Sequence, residues 1–330
     1  MKLITELDKE KWIDLMNNCE FKSPFQSYDY YKIFNSVNEF SAKAFAIEVE
    51  HRYLALIVVT IQKESGFKSF FSKRGIVYGG PLIRFSDSKY LDLLLQHVND
   101  YFKKKLIYLE VRNNFDFSAY KEVMKKHGWL YIEHLNVQLS LENLDLETYL
   151  SGLKYNRRRE IKMTNQHGAH VREAKSESDI VNLYKILKDL YKTRVKLPLQ
   201  PLSFFIELYN SQIGKVFIVT NEDNIIGGSF CLYDQQDSIF TMSYAGLRDY
   251  HKKIFPTHLA IIGAIKFGFD NDLKMLDFMG AGKPNLDYGV RNYKLQFGGE
   301  LVEHGRFKVI YKPILYKIGE LGIKLISKLT

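Results

Sequence analysis

Apolar and polar positions follow two rhythms along this chain, and the rhythms alternate in much the same order twice. Residues 9–17 and 28–35 carry apolar positions at helical spacing. Residues 42–49 and 53–62 are dominated by apolar residues with polar ones between the runs, the pattern of a strand hairpin. A strand at 76–82, broken by Gly79-Gly80-Pro81, leads to a helix at 87–103, a strand at 106–112, a helix at 117–127 and a strand at 129–139. The second half opens on a long basic helix at 146–165, a strand at 169–174 and a helix at 177–192, which places Ile180, Leu183, Leu187, Leu190 and Tyr191 on one face. A short helix at 201–210 and a hairpin of 215–221 with 225–233 follow, the hairpin turned by Glu222, Asp223 and Asn224. The pattern ends with a strand at 238–245, an apolar helix at 256–270, a strand at 274–279 and an amphipathic helix at 311–330.

The halves match most closely at Ile107-Tyr108-Leu109-Glu110-Val111-Arg112 and Lys274-Met275-Leu276-Asp277-Phe278-Met279. Each run follows an apolar helix and a short polar turn, and each places an acid inside a strand. That predicts a duplicated α/β unit with mixed, mainly antiparallel sheets, divided as 1–143, 144–310 and the tail 311–330.

Composition narrows the function. The 330 residues carry a formal charge of +9, which favours an anionic partner: a nucleotide-linked sugar, an RNA or a membrane surface. The two cysteines, Cys19 and Cys231, lie far apart, and no His-x-x-x-His spacing occurs, so neither a metal site nor a disulfide scaffold is expected. The start is charged rather than signal-like, and the longest apolar runs are too short to span a bilayer. The expected setting is cytoplasmic.

Candidate chemistry gathers in a few places. In Leu276–Glu300 a strand ends in Gly280-Ala281-Gly282, and a helix-like segment then carries Arg291 and Lys294 to Gly298-Gly299. Glycines after a strand allow close backbone approach to a ligand, and the two cations suit anionic oxygen. The run Gly280 to Pro284 lacks the spacing of a phosphate-binding P-loop. Lys154, Arg158 and Lys162 form a basic stripe flanked by Arg157 and Arg159, suited to phosphate or RNA, with a solvated face as the plain alternative. Lys32 follows the aromatic run after Pro24. Arg194 sits in a loop, where a bidentate guanidinium could take carboxylate or phosphate. Gly227-Gly228 and Tyr244 mark strands open to close approach. The histidines are scattered and no nucleophile motif occurs, which favours direct transfer over a covalent intermediate.

Several blocks resemble the FemABX family in their order and spacing. They are SPFQSYDYYKIF, NRRREIKMTNQHGAHVREA, LYKILKDLYKTRVKLPLQPLSFF, IIGGSFCLY and DYGVRNYKLQFGGEL. The resemblance implies tandem acetyltransferase-like (GNAT) domains with a substrate cleft between them. It implies transfer of an amino acid from aminoacyl-tRNA to an amine of a peptidoglycan precursor, carried on lipid II or a UDP-sugar. It places Lys32 and Arg194 on the anionic sugar-phosphate or peptide, Lys294 as transition-state stabiliser and Tyr244 near a pocket tyrosine. No bound cofactor is implied. The family's tRNA-associated helical arm is missing, which leaves acyl-CoA or an acyl carrier open as donor, in a GNAT acyltransferase of envelope polysaccharide synthesis. A non-catalytic RNA- or membrane-binding protein is the reading of another class. The tail is expected either to touch the inner face of the membrane or to dock on the body of the protein.

Overall fold

The computed structural model describes residues 1–62, 72–85 and 87–329, with side chains through residue 322. The chain forms two compact units, Met1–His134 with Glu303–Thr330, and Leu135–Val302.

Unit 1 is built on a mixed sheet in the order β1-β2-β3-β4-β6-β15-β7, with β5 (Leu82–Ile83) paired to β3. Its strands are β1 (Lys2–Ile4), β2 (Ser41–Val49), β3 (Arg52–Gln62), β4 (Arg74–Tyr78), β6 (Tyr108–Arg112), β7 (Leu130–Ile132) and β15 (Arg306–Ile310). Only β4 and β6 run parallel among the pairs whose register is described. Helix α3 (Ser88–Phe102) buries Leu91, Leu94, Leu95, Val98 and Phe102 in a core shared with β2 and β3. Helices α1 (Lys9–Asn17) and α2 (Tyr28–Ser36) start on the caps Asp8 and Ser27, which accept from the N–H groups of Lys11 and Tyr30. The Pro24–Gln26 turn is a fastening. Buried Gln26 donates to Tyr78 O at 2.7 Å and accepts from Val58 N at 2.8 Å, and its carbonyl takes the Trp12 indole N–H. Helix α4 (Lys121–Lys126) completes this part of the unit.

Unit 2 repeats the order as β9-β10-β11-β12-β13-β8-β14. These are β8 (Leu135–Ser140), β9 (His170–Glu173), β10 (Gly214–Asn221), β11 (Asn224–Tyr233), β12 (Ser238–Gly246), β13 (Met275–Gly280) and β14 (Glu300–Glu303). Again one pair, β12 with β13, is parallel among those whose register is described. Helices α5 (Leu146–Gly152), α6 (Tyr155–Gln166), α7 (Glu177–Leu190), α8 (Leu202–Asn210), α9 (Pro256–Asp270) and α10 (Gly289–Lys294) belong to this unit. Apolar α9 packs across β9 to β13 at the centre of the core. Its Gly263 permits the approach, because a Cβ there would come 2.6 Å from Val171 Cγ2.

The units differ from the expected division at 143 and 310. The stretch 129–139 holds two strands, β7 of unit 1 and β8 of unit 2. Likewise β14 and β15 adjoin in sequence but lie in different sheets. The helix expected over 146–165 breaks at Leu153, which is extended at ψ 148. The expected tail is α11 (Pro313–Leu329), in unit 1.

Candidate active site

The parallel pair of unit 2 opens partway. β12 pairs with β13 only at Ser238–Met275, Ile239–Leu276 and Phe240–Asp277, although β12 continues to Gly246. A bulge skips Met242 in the pairing of β12 with β11, which re-aims the strand beyond it. On its far side β13 is bulged too, with Met279 at φ 63 and Gly280 rejoining β8 at Asn136.

The end of β13 is sealed by Lys294. Its buried ammonium donates to Phe278 O at 2.6 Å, Gly280 O at 2.8 Å and Met279 O at 3.3 Å. An ammonium has three N–H donors, so none remains for a developing oxyanion. Burial pulls its pKa down to about 8, against the pull of Asp277. Asp277 itself is fully buried; it accepts from Met279 N at 2.5 Å and Gln138 Nε2 at 3.1 Å, and burial raises its pKa.

Arg291 is a second internal brace. Its guanidinium donates to the carbonyls of Ala281 at 2.9 Å, Pro284 at 3.2 Å and Leu286 at 2.8 Å, and to that of Lys283. The glycine loop is occupied as well. Gly280 O serves Lys294, Ala281 N donates to Leu135 O, and Gly282 O accepts from Leu135 N. Gly282, at φ 80, lets the Tyr288 ring close over it, since a Cβ would stand 2.9 Å from Tyr288 Cδ1. Lys294, Arg291, Gly280 and Gly282 thus build the site's frame, in contrast with the direct ligand contacts expected of them.

A chain of polar groups lies beside this frame. The Tyr293 hydroxyl is 3.0 Å from His258 Nδ1, and His258 Nε2 is 3.1 Å from Glu160 Oε2. Burial and nearby Arg157 lower the His258 pKa to about 3, so the ring is neutral. A neutral imidazole carries one proton. The Glu160 carboxylate can only accept, so that proton sits on Nε2 and Nδ1 accepts from the Tyr293 hydroxyl. The phenol oxygen of Tyr293 is thereby left as an acceptor. Its own ionisation is pushed up, chiefly by burial. The Tyr244 ring lies 6.2 Å away, on the part of β12 that has left β13. Tyr191 and Tyr288 also act on Tyr244, which gathers four tyrosines around this corner.

The basic stripe divides by face. Lys154, Arg158, Arg159 and Lys162 are exposed. Arg157 is not on the outside with them. It is 5% exposed, pairs with Glu160 at 3.1 Å, bonds Gln296 and lies over the rings of Tyr293 and Phe297. Arg157, Glu160, Ile161 and Thr164 follow i, i+3, i+4, i+7 spacing toward the interior. Arg194 is exposed in the turn that ends α7. Lys32 is exposed on α2 of unit 1. In the tail, Ile314, Ile318 and Leu321 are exposed at i, i+4, i+7 while Leu315 and Tyr316 are half-buried, and the expected apolar positions from Ile323 onward lie outside the described side chains.

Sequence reading did not single out Glu160, His258 or Tyr293. Their signal was the inward spacing of α6 and a histidine set within an otherwise apolar helix.

No family model and no curated protein matches the sequence. Solved structures do match in fold. FemX superposes with a TM-score of 0.73 over 96% of this chain and 99% of its own, at 10% identity. L-PGS from Bacillus licheniformis gives 0.59 over 99% of both chains at 13% identity. A tandem GNAT protein from the clavulanic acid biosynthesis pathway gives 0.58 over 94% and 98% at 8% identity. At such identities the likeness is one of fold, and the fold of this chain is the tandem GNAT arrangement.

Proposed function

We propose that the protein is an N-acyltransferase that moves an aminoacyl group from aminoacyl-tRNA to an amine of a peptidoglycan precursor. The observation that carries this reading is the acceptor-only phenol oxygen of Tyr293 beside the open part of β12. A hydroxyl whose proton is held by a neutral imidazole recruits a hydrogen-bond donor, which suits an attacking amine and not a carboxylate or phosphate. Tyr293 orients the amine, and His258 and Glu160 hold Tyr293. The amine nitrogen bonds to the ester carbonyl carbon, the ester C–O bond breaks, and the amine's proton leaves with the departing ribose oxygen. Lys294 acts indirectly, by holding the end of β13 away from β12. The exposed Lys154, Arg158 and Lys162 supply cations for an RNA backbone, and the exposed Arg194 supplies one for an anionic group of the precursor. Acyl-CoA is the alternative donor.

The test is transfer from labelled aminoacyl-tRNA, then from labelled acetyl-CoA, to a panel of cell-wall precursors. Tyr293→Phe should lower the rate about tenfold to a hundredfold, as expected for a lost positioning contact, with the fold intact. Transfer from neither donor, with tight RNA binding retained, would favour the non-catalytic RNA-binding reading.

A second reading makes the acceptor a lipid amine or hydroxyl, reached at the membrane surface. The exposed row Ile314, Ile318 and Leu321 on α11 favours it, and exposed Lys317 lies on the same helix. Among the described residues no helix is long and apolar enough to cross a membrane, so contact would be peripheral. Co-sedimentation with anionic vesicles, for the full chain and a version ending at Lys312, decides it. Salt-sensitive binding by the full chain alone supports the reading, and equal binding by both removes it.

A further inference from the structure

Unit 1 contains a charge cluster that acyl transfer does not use. Glu110, on β6, is 4% exposed and is surrounded by three cations. Arg112 Nε stands 2.8 Å from its Oε1, Arg306 Nη1 3.1 Å from the same oxygen, and Lys308 Nζ 2.8 Å from Oε2. The three cations against one carboxylate leave a formal charge of 3 − 1 = +2. Among the described residues Glu110 is the carboxylate within ion-pair distance of Arg112, Arg306 and Lys308.

Fastening β15 to β6 does not require this excess. Lys308 lies directly opposite Glu110 in the strand pair, and that one bridge suffices for the register. Arg306 lies directly opposite Arg112, a like-charge cross-strand pair that destabilises a sheet unless something anionic sits between the two. Glu110 Oε1 meets one nitrogen of each guanidinium. Among the described residues the remaining nitrogens make no hydrogen bond, and the side chains of Arg112 and Arg306 are 34% and 24% exposed. Two forked donor edges, fixed side by side by a shared carboxylate, match the tetrahedral oxygens of a phosphate. Tyr78 lies against Arg112 at 5.3 Å, and Tyr108 sits on the same strand face as Glu110 and Arg112. Burial and the neighbouring Arg112 pull the pKa of Arg306 down to about 10, whereas that of Arg112 is raised, against burial, by Tyr78 and Glu110.

We propose that Arg112 and Arg306 form a subsite for a doubly charged phosphate group, either a phosphate monoester or a diphosphate. Its two negative charges balance the +2 left by Glu110. Lys308 stays with Glu110 and Tyr316, to whose hydroxyl it donates at 3.2 Å, and so sets the cluster in place and does not grip the ligand. The site lies in unit 1 and does not rest on the acyl-transfer reading.

The experiment is calorimetric titration of the full chain with inorganic phosphate and pyrophosphate, against sodium chloride at matched ionic strength. Arginine Nε–H resonances are followed in parallel. Phosphate is expected to bind and to shift the Arg112 and Arg306 signals. Arg306→Gln, which leaves Glu110 two cations and the fold intact, should weaken binding about tenfold through loss of a charged hydrogen bond. Glu110→Gln raises the local charge to +3 and should tighten binding. A purely structural network predicts the contrary: no titration in the wild type at low salt, or equal affinity in wild type and Arg306→Gln, and either result overturns the proposal. Should Glu110→Gln fail to fold, the wild type and Arg306→Gln still decide. Uridine monophosphate and glycerol 3-phosphate, titrated side by side, distinguish a nucleotide source of the phosphate from a lipid headgroup.

Discussion

The two units run the same strand order, but their parallel pairs behave differently. In unit 1, β4 and β6 stay paired from Gly75–Leu109 to Tyr78–Arg112, and the Gly79 N–H adds a further bond to Arg112 O at 2.9 Å. In unit 2, β12 and β13 part after three residue pairs, and a lysine ammonium holds the freed end of β13. The acids at matching places, Glu110 and Asp277, differ accordingly. Three cations hold Glu110 ionised, with a pKa near 2, whereas Asp277 meets amides and its pKa is raised by burial. One plan thus produces a closed, cation-rich sheet face and an open, tyrosine-lined corner. The difference lies in a few residues at the strand ends, not in the topology.

The largest expected effect breaks the closed side. Glu110→Gln leaves three clustered cations without a countercharge and should cost about 3–5 kcal/mol, read by urea unfolding. Added phosphate should restore part of this loss. An unchanged midpoint would mean the cluster is solvated and irrelevant to unit 1.

Next is the open side. Lys294→Met removes the donor for three carbonyls and should cost about 2 kcal/mol. Amide exchange should place the loss in β13 and α10, with α3 of unit 1 unaffected. Loss of activity with unchanged exchange would instead return Lys294 to a direct catalytic role.

A smaller effect separates the units by pH. His258 titrates near 6.5 when unfolded but near 3 when folded. Between those values the unfolded chain takes the proton and the folded one does not, so unit 2 weakens as pH falls through this window, on the order of 2 kcal/mol at pH 5. Glu110 has the depressed carboxylate's behaviour: its contribution is full above 4.5 and fades only toward pH 2. Exchange at pH 7 and pH 5 should therefore show α9 opening more easily at pH 5 while α3 holds. His258→Gln should abolish the difference.

Much of the architecture was legible in the sequence because long periodic segments such as 88–102, 177–190 and 256–270 bury one face or all of it. The unit boundaries were not. Only the short polar break at Glu133-His134 separates β7 from β8, and nothing in so brief a stretch says that the two strands enter different sheets. β14 and β15 are short, and Arg306 and Lys308, which alternate with core residues of β15, read as surface until Glu110 is placed between them. The glycine loop and Arg291 were recognised as special, but their role depends on carbonyls that only the fold brings together. In the sequence Arg157 reads as part of the basic stripe and Glu160 does not stand out, because their helix is polar on nearly every side.

The proposal that acyl transfer takes place at the open corner of unit 2, and not at the closed pair of unit 1, is tested most directly by amide exchange. Exchange would be compared with and without an aminoacyl-RNA analogue bearing a stable amide, and separately with acetyl-CoA. The account predicts that one of these donors slows exchange in 241–246 and 288–294 and leaves 75–78 and 109–112 unchanged. Protection confined to unit 1, with unit 2 unaffected by either donor, would contradict it.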